Sequence, residues 1–67
     1  MENLRGNEMF TKLQELLSEI QDIRNQKVHF IMHEDGCWEI RGTVQGYILY
    51  DGDGEKELDN LWRKVVL

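Results

Sequence analysis

His33 and Cys37 are the first residues in this chain that could do chemistry together, because across a tight turn they would face one another on adjacent strands. A thiol beside an imidazole can serve as nucleophile and base, or as half of a zinc site. Nucleophilic attack also needs an orienting group and an oxyanion site in a cleft that excludes water, and a flat sheet face supplies neither. A structural zinc needs more ligands, yet His29 lies two pleats away and no fourth ligand of the right kind is close in sequence. What remains of this pair is a small metal- or redox-responsive regulator. Asp51, Asp53 and Glu55 imitate positions one, three and five of a calcium loop, but Lys56 stands where the loop requires glycine and Trp62 where it requires glutamate. A turn followed by a helix cap accounts for the same residues. Gly52 and Gly54 are followed by acids rather than by a lysine and a hydroxyl, so no phosphate loop is present. The expectation is a protein with no catalytic residues, no metal and no cofactor, and so not an enzyme.

The carboxylates themselves are the chemistry left to explain. Val28 to Gly54 holds Glu34, Asp35, Glu39, Asp51 and Asp53 against the single base Arg41, and so carries −4 of the total charge of −5. Met1 to Lys27 sums to −1, and Glu55 to Leu67 to zero. An acidic field of this kind repels nucleic acid and attracts basic protein surfaces. The 67 residues make a single domain near the lower limit for folding alone, too small to wall off a deep substrate pocket. One cysteine permits no internal disulfide, and with no secretory signal and no apolar run of membrane-spanning length the expected compartment is a reducing cytoplasm.

Those acids must be positioned by the elements around them. Met9, Leu13, Leu16, Leu17, Ile20 and Ile23 recur at spacings of three and four, the stripe of an amphipathic helix. Asn7 could cap it, or Thr11 with Gln14 as a capping box; Asn25 reads as its end, and residues 1–6 as frayed. Val28–His33 and Cys37–Val44 alternate as strands. A three-residue loop, Glu34-Asp35-Gly36, pairs His33 with Cys37, Met32 with Trp38 and Phe30 with Ile40. Val28, Phe30, Met32, Trp38, Ile40 and Val44 then share one face, whereas a two-residue turn would scatter them. The opposite face holds His29, Ile31, His33, Cys37, Glu39, Arg41 and Thr43.

Gln45-Gly46 suggests a second turn into a third strand, Tyr47 to Tyr50. Its register is open between Tyr47 with Leu49, or Ile48 with Tyr50, facing the core; either choice sends two large side chains to join Ile31 outside. Leu58, Leu61, Trp62 and Val65 make the stripe of a last helix, entered through Asp51 to Glu55 and capped by Asp53 or Gly54. The expected fold is α+β in two layers: helix, three-stranded antiparallel meander, helix, with both helices on one sheet face.

This order of elements resembles the double-stranded-RNA-binding domain. That family grips phosphates with lysines at the start of its last helix, whereas the matching stretch here, Gly54-Glu55-Lys56-Glu57-Leu58-Asp59, has one lysine among three acids. Its Gly-Pro-x-His loop is replaced by Glu34-Asp35-Gly36-Cys37, so direct nucleic-acid binding is not expected. In size, charge and scarcity of cysteine the chain also resembles small acidic phage-encoded inhibitors of the DNA-mimic kind, such as certain anti-CRISPR proteins and uracil-DNA glycosylase inhibitors; the fragment Ser18-Glu19-Ile20 is similar to a short element of one such inhibitor. That resemblance implies a non-enzymatic protein presenting carboxylates to the basic nucleic-acid-binding surface of a host enzyme. Candidate contacts are Glu34, Asp35, Glu39, Asp51, Asp53 and Glu55, with Ile31, Tyr47, Ile48, Leu49 and Tyr50 as apolar anchors. The main alternative is a structural or assembly module that forms a homodimer through the outer sheet face.

Overall fold

The computed structural model describes the backbone of residues 2–67 and the side chains from Glu8 onward. The first helix, α1, runs Glu2–Arg24. Asn7 and the Thr11/Gln14 pair therefore lie inside the helix rather than at its start. The expected fraying of residues 1–6 falls outside the fully described residues. Leu16 and Ile20 are completely buried, and Met9, Leu13 and Leu17 pack beside them. Ile23, expected on the same stripe, lies in the final turn and stays exposed. Asn25 ends the helix with φ +55 while the Gln26 N–H donates to the Gln21 carbonyl at 3.3 Å, the long bond of a Schellman cap. Because a Cβ is disfavoured in that conformation but asparagine tolerates it, Asn25→Ala is expected to cost about 1 kcal/mol and Asn25→Gly to spare the fold, checked by urea unfolding.

The hairpin follows its expected register. Strand β1 (Val28–Met32) pairs antiparallel with β2 (Cys37–Gly42), with Phe30 opposite Ile40 and Met32 opposite Trp38. His33 N–H donates to the Cys37 carbonyl at 2.8 Å, and Gly36 N–H to the His33 carbonyl at 3.1 Å. Gly36, at φ +95, supplies the left-handed residue that closes a three-residue loop. Both strands stop earlier than their alternation implies: His33 belongs to the turn, and Val44 to the next loop.

The third strand differs from its expected span. Strand β3 is Ile48–Asp53, pairing with β2 so that Tyr50 faces Ile40, Gly52 faces Trp38, Asp51 faces Glu39 and Asp53 faces Cys37. Leu49 is an extra residue between Ile40 and Arg41, a β-bulge that satisfies neither simple register. It turns both Leu49 and Tyr50 towards the core and leaves Ile48 outside, opposite Arg41. Tyr47 remains in the loop, and Asp51-Gly52-Asp53, expected as a turn, completes the strand.

Helix α2 (Gly54–Val65) follows at once. Asp53 is its N-cap by position, but its side chain makes no capping bond; instead Glu57 Oε1 reaches back to accept the Asp53 N–H at 2.7 Å. The two helices lie side by side and parallel. Lys12 Nζ meets Asp59 Oδ1 at 2.9 Å, and one turn further along both helices Trp62 Nε1–H donates to Glu15 Oε1 at 3.2 Å. Both cover the same sheet face, so that Leu16, Ile20, Val28, Trp38, Ile40 and Leu58 form one core. This is the two-layer αβββα fold expected, with sheet order β1-β2-β3. Met32 remains 56% exposed and Val44 is also exposed, although their register positions point inward, because α1 and α2 cover the middle of the sheet rather than its ends. Among the described residues no helix is long and apolar enough to cross a membrane.

Candidate partner-binding surface

Three elements end at the same place. Gly54 N–H donates to the Gly36 carbonyl at 3.0 Å, which ties the start of α2 to the tip of the β1–β2 hairpin beside the last residues of β3. Glu34 and Asp35 stand on that tip, Asp51 and Asp53 on β3, and Glu55 and Glu57 on the first turn of α2, all of them exposed. Five of these six were candidate contacts; Glu57 was not. Its signal in the sequence was weak, because it reaches back four residues to Asp53 rather than the three of a capping box. Three cations are engaged elsewhere, Lys12 and Arg63 by Asp59 and Arg24 over the Tyr50 ring at 5.4 Å, while Lys56 stands exposed between Glu55 and Glu57.

The sixth candidate acid, Glu39, has a different role. It is half-buried in the middle of the outer sheet face, where its Oε1 accepts from Arg41 Nε at 2.7 Å and its Oε2 lies 3.3 Å from His33 Nε2. The Arg41 hydrogen bond, with a smaller contribution from His33, holds its carboxyl below the usual range. Arg41 also donates through Nη1 to the Gly46 carbonyl at 3.0 Å. Asp51 sits directly across the ladder from Glu39, a like-charge pairing that is unfavourable between strands and that Arg41 offsets.

A carboxylate whose pKa is depressed on folding contributes stability above its ordinary value, 4.5 for Glu39, and that contribution is lost as pH falls through the folded value. Asp59, held low first by its hydrogen bond to Lys12, acts in the same direction. The melting temperature is therefore expected to change little from about pH 8 to pH 5 and to fall below that, with a shallower fall in Glu39→Gln, followed by circular dichroism.

Cys37 lies at the edge of this surface. Asp35 Oδ1 accepts the Cys37 N–H at 3.1 Å, and that bond is the first cause of a lowered Asp35 pKa. Partial burial, followed by the charges of Asp35 and Asp53, pushes the Cys37 thiol up. Both effects disfavour a thiolate, and His33 Nε2 is directed at Glu39. Among the described residues no group of three or more histidine, cysteine or acidic side chains is arranged to hold a metal ion.

The apolar anchors separate. Leu49 and Tyr50 pack against the core, which removes them from the outer face where a partner would meet them. Ile31 is half-buried and Ile48 exposed on that face, while Tyr47 projects from the loop at the far end from the acids. The outer face is thus an ion cluster flanked by two isoleucines. Compared with known proteins, the chain matches no family model, no curated protein and no solved structure.

Proposed function

We propose that this chain is a non-enzymatic inhibitor or modulator of a nucleic-acid-processing enzyme, and that its acidic end occupies the basic surface where that enzyme takes a phosphate backbone. The observation that carries the reading is the convergence of Glu34, Asp35, Asp51, Asp53, Glu55 and Glu57 from a hairpin tip, a strand and a helix start. Charges on paired backbone are held at fixed spacing, whereas charges on a tail are not. Asp51 and Asp53, two residues apart on one strand face, are separated by roughly 6.7 Å along the strand, comparable to the distance between neighbouring phosphates on one nucleic-acid strand. Such an enzyme would be met in the cytoplasm of the producing or infected cell. A homodimer through the outer sheet face has less to recommend it now that Leu49 and Tyr50 turn inward and the Glu39–Arg41–His33 cluster fills the centre.

The test is affinity capture from bacterial lysate on the immobilised chain, followed by elution with duplex DNA or RNA. Release of a captured nucleic-acid enzyme by nucleic acid, and its loss at raised salt, is the expected result. An enzyme that stays bound while it also binds its nucleic acid would rule out mimicry.

A further inference from the structure

We propose that the open edge of β1 pairs with the same edge of a second copy, joining two three-stranded sheets into one across a two-fold axis at Phe30. The hydrogen bonds of the hairpin show which backbone groups are spare. His33 N–H donates to the Cys37 carbonyl and Thr43 N–H to the Lys27 carbonyl, so residues 27, 29, 31 and 33 turn their backbone polar groups towards β2. Val28, Phe30 and Met32 turn theirs to the open side. Val28 N–H is taken by Gln21 Oε1 at 3.2 Å, whereas no described residue bonds the N–H or C=O of Phe30 and Met32. Proteins ordinarily guard such an edge with a bulge, a proline or a charge. Strand β3, at the other margin of the sheet, has its bulge and carries Asp51 and Asp53. Strand β1 is Val-His-Phe-Ile-Met, pairs with no bulge, and has no proline, lysine or acid.

Two features name a second copy as the occupant. Antiparallel pairing about Phe30 sets Val28 opposite Met32; Phe30 bonds Phe30 reciprocally, and Met32 N–H donates to the Val28 carbonyl of the other copy. The same register carries Lys27 to the far end of the other copy's β1, where Glu34 opens the hairpin tip. Lys27 and Glu34 are both exposed, and among the described residues neither makes an ion pair within the chain. The two-fold therefore creates this complementary contact at both ends of the paired edge. The second feature lies in the helix layer. Lys12 and Glu15 turn one flank of α1 to α2. Phe10, Gln14, Leu17 and Gln21, at spacings of four, three and four, form an uncharged stripe on the opposite flank, from which Gln21 bonds β1. Phe10 is 62% exposed, and Met32 lies open on the same side of the sheet. An extended peptide added to β1 covers Met32 and leaves the α1 stripe bare, whereas an antiparallel copy brings its own stripe to face it.

The test is sedimentation equilibrium of the purified chain at low salt, from about 10 μM to about 1 mM, with amide exchange read at both ends of that range. The mass is expected to rise from 8.0 kDa and level off at twice that value. The Phe30 and Met32 amides, unpaired in the monomer, should become protected as it does. Lys27→Glu and Glu34→Lys should each dimerise roughly 10-fold more weakly. Mixed in equal amounts they should recover the native affinity, because each restores the other's charge contact at both ends. Met32→Lys puts a charge beside the open edge without entering the core, and should stay monomeric with native circular dichroism. Native protein that stays monomeric at the highest concentration leaves the edge to a foreign strand and overturns the proposal. So does a mass that climbs past the dimer, a dimer whose Phe30 and Met32 amides exchange freely, or a mixture no tighter than its parts. Asp51→Lys/Asp53→Lys lies on β3, away from the paired edge, and should dimerise normally, so this pairing and the proposed enzyme binding can fail separately.

Discussion

Gly52→Ala is expected to come close to unfolding the protein. Gly52 lies opposite Trp38 in the β2–β3 ladder, and a Cβ built on it falls into the indole ring, 2.8 Å from Cε2, and within 3.0 Å of Glu57 Oε1. The ring has no room to move. Trp38 is 1% exposed, stacks on Phe30 with 6.2 Å between centroids, and donates through Nε1 to the Gly54 carbonyl at 2.9 Å. Overpacking of a rigid site costs about 3 kcal/mol, against a total of roughly 5 kcal/mol for a small domain. At roughly 4–8 °C per kcal/mol in domains of this size, the melting temperature should fall by some 15 °C or more. Thermal unfolding read by tryptophan emission and by circular dichroism checks this. A Gly52→Ala protein that melts within about 3 °C of the native chain would mean that the ring can relax, contrary to the packing described.

Asp51→Lys/Asp53→Lys should abolish most partner binding while leaving the fold intact. Both side chains are exposed, and Asp53 makes no side-chain capping bond that its replacement would remove. At position 51 a lysine would face Glu39 across the ladder, which turns a like-charge pair into an opposite one. At position 53 a lysine at the start of α2 opposes the helix dipole, so gain and loss offset and the melting temperature is expected to change little. Binding should behave differently: reversing two charges in a field that steers encounter slows association roughly 10- to 100-fold at low salt. That deficit should shrink as screening shortens the reach of the field to about 3 Å near 1 M salt. The measurement is association kinetics of the captured enzyme with both proteins across a salt series. Equal association rates at low salt would remove the mimicry reading.

The sequence carried the hairpin because one wrong residue in its loop would have turned Phe30, Trp38 and Ile40 to solvent, and burial penalises that slip strongly. It carried both helices through their periodic stripes, and the end of α1 through Asn25. The third strand was not legible. A bulge at Leu49 is set by what the core can accept from Leu49 and Tyr50 together, and no spacing rule encodes that. Asp51-Gly52-Asp53 reads as a turn because aspartate and glycine are poor strand formers, yet the glycine is needed where Trp38 leaves no space for a side chain. The acids of the candidate surface were all visible as residues. What the one-dimensional pattern hid was which were already engaged: Glu39, central in sequence, is half-buried and held by Arg41 and His33, while Glu57, hidden in a helical stripe, accepts the Asp53 N–H and still joins the exposed group.

The parallel pairing of α1 with α2 also bears on the expected order of folding. Lys12–Asp59 and Glu15–Trp62 each join residues 47 positions apart, and the whole meander lies between them. The β1–β2 turn needs only a three-residue loop, so it closes at far lower chain entropy than the contact between helices. The meander can therefore assemble while the helix pair is still apart. Docking of α2 onto α1, which completes the core around Trp38 and Leu58, is then expected as a late step, and substitutions at Lys12–Asp59 or Glu15–Trp62 are expected to change the unfolding rate more than the folding rate.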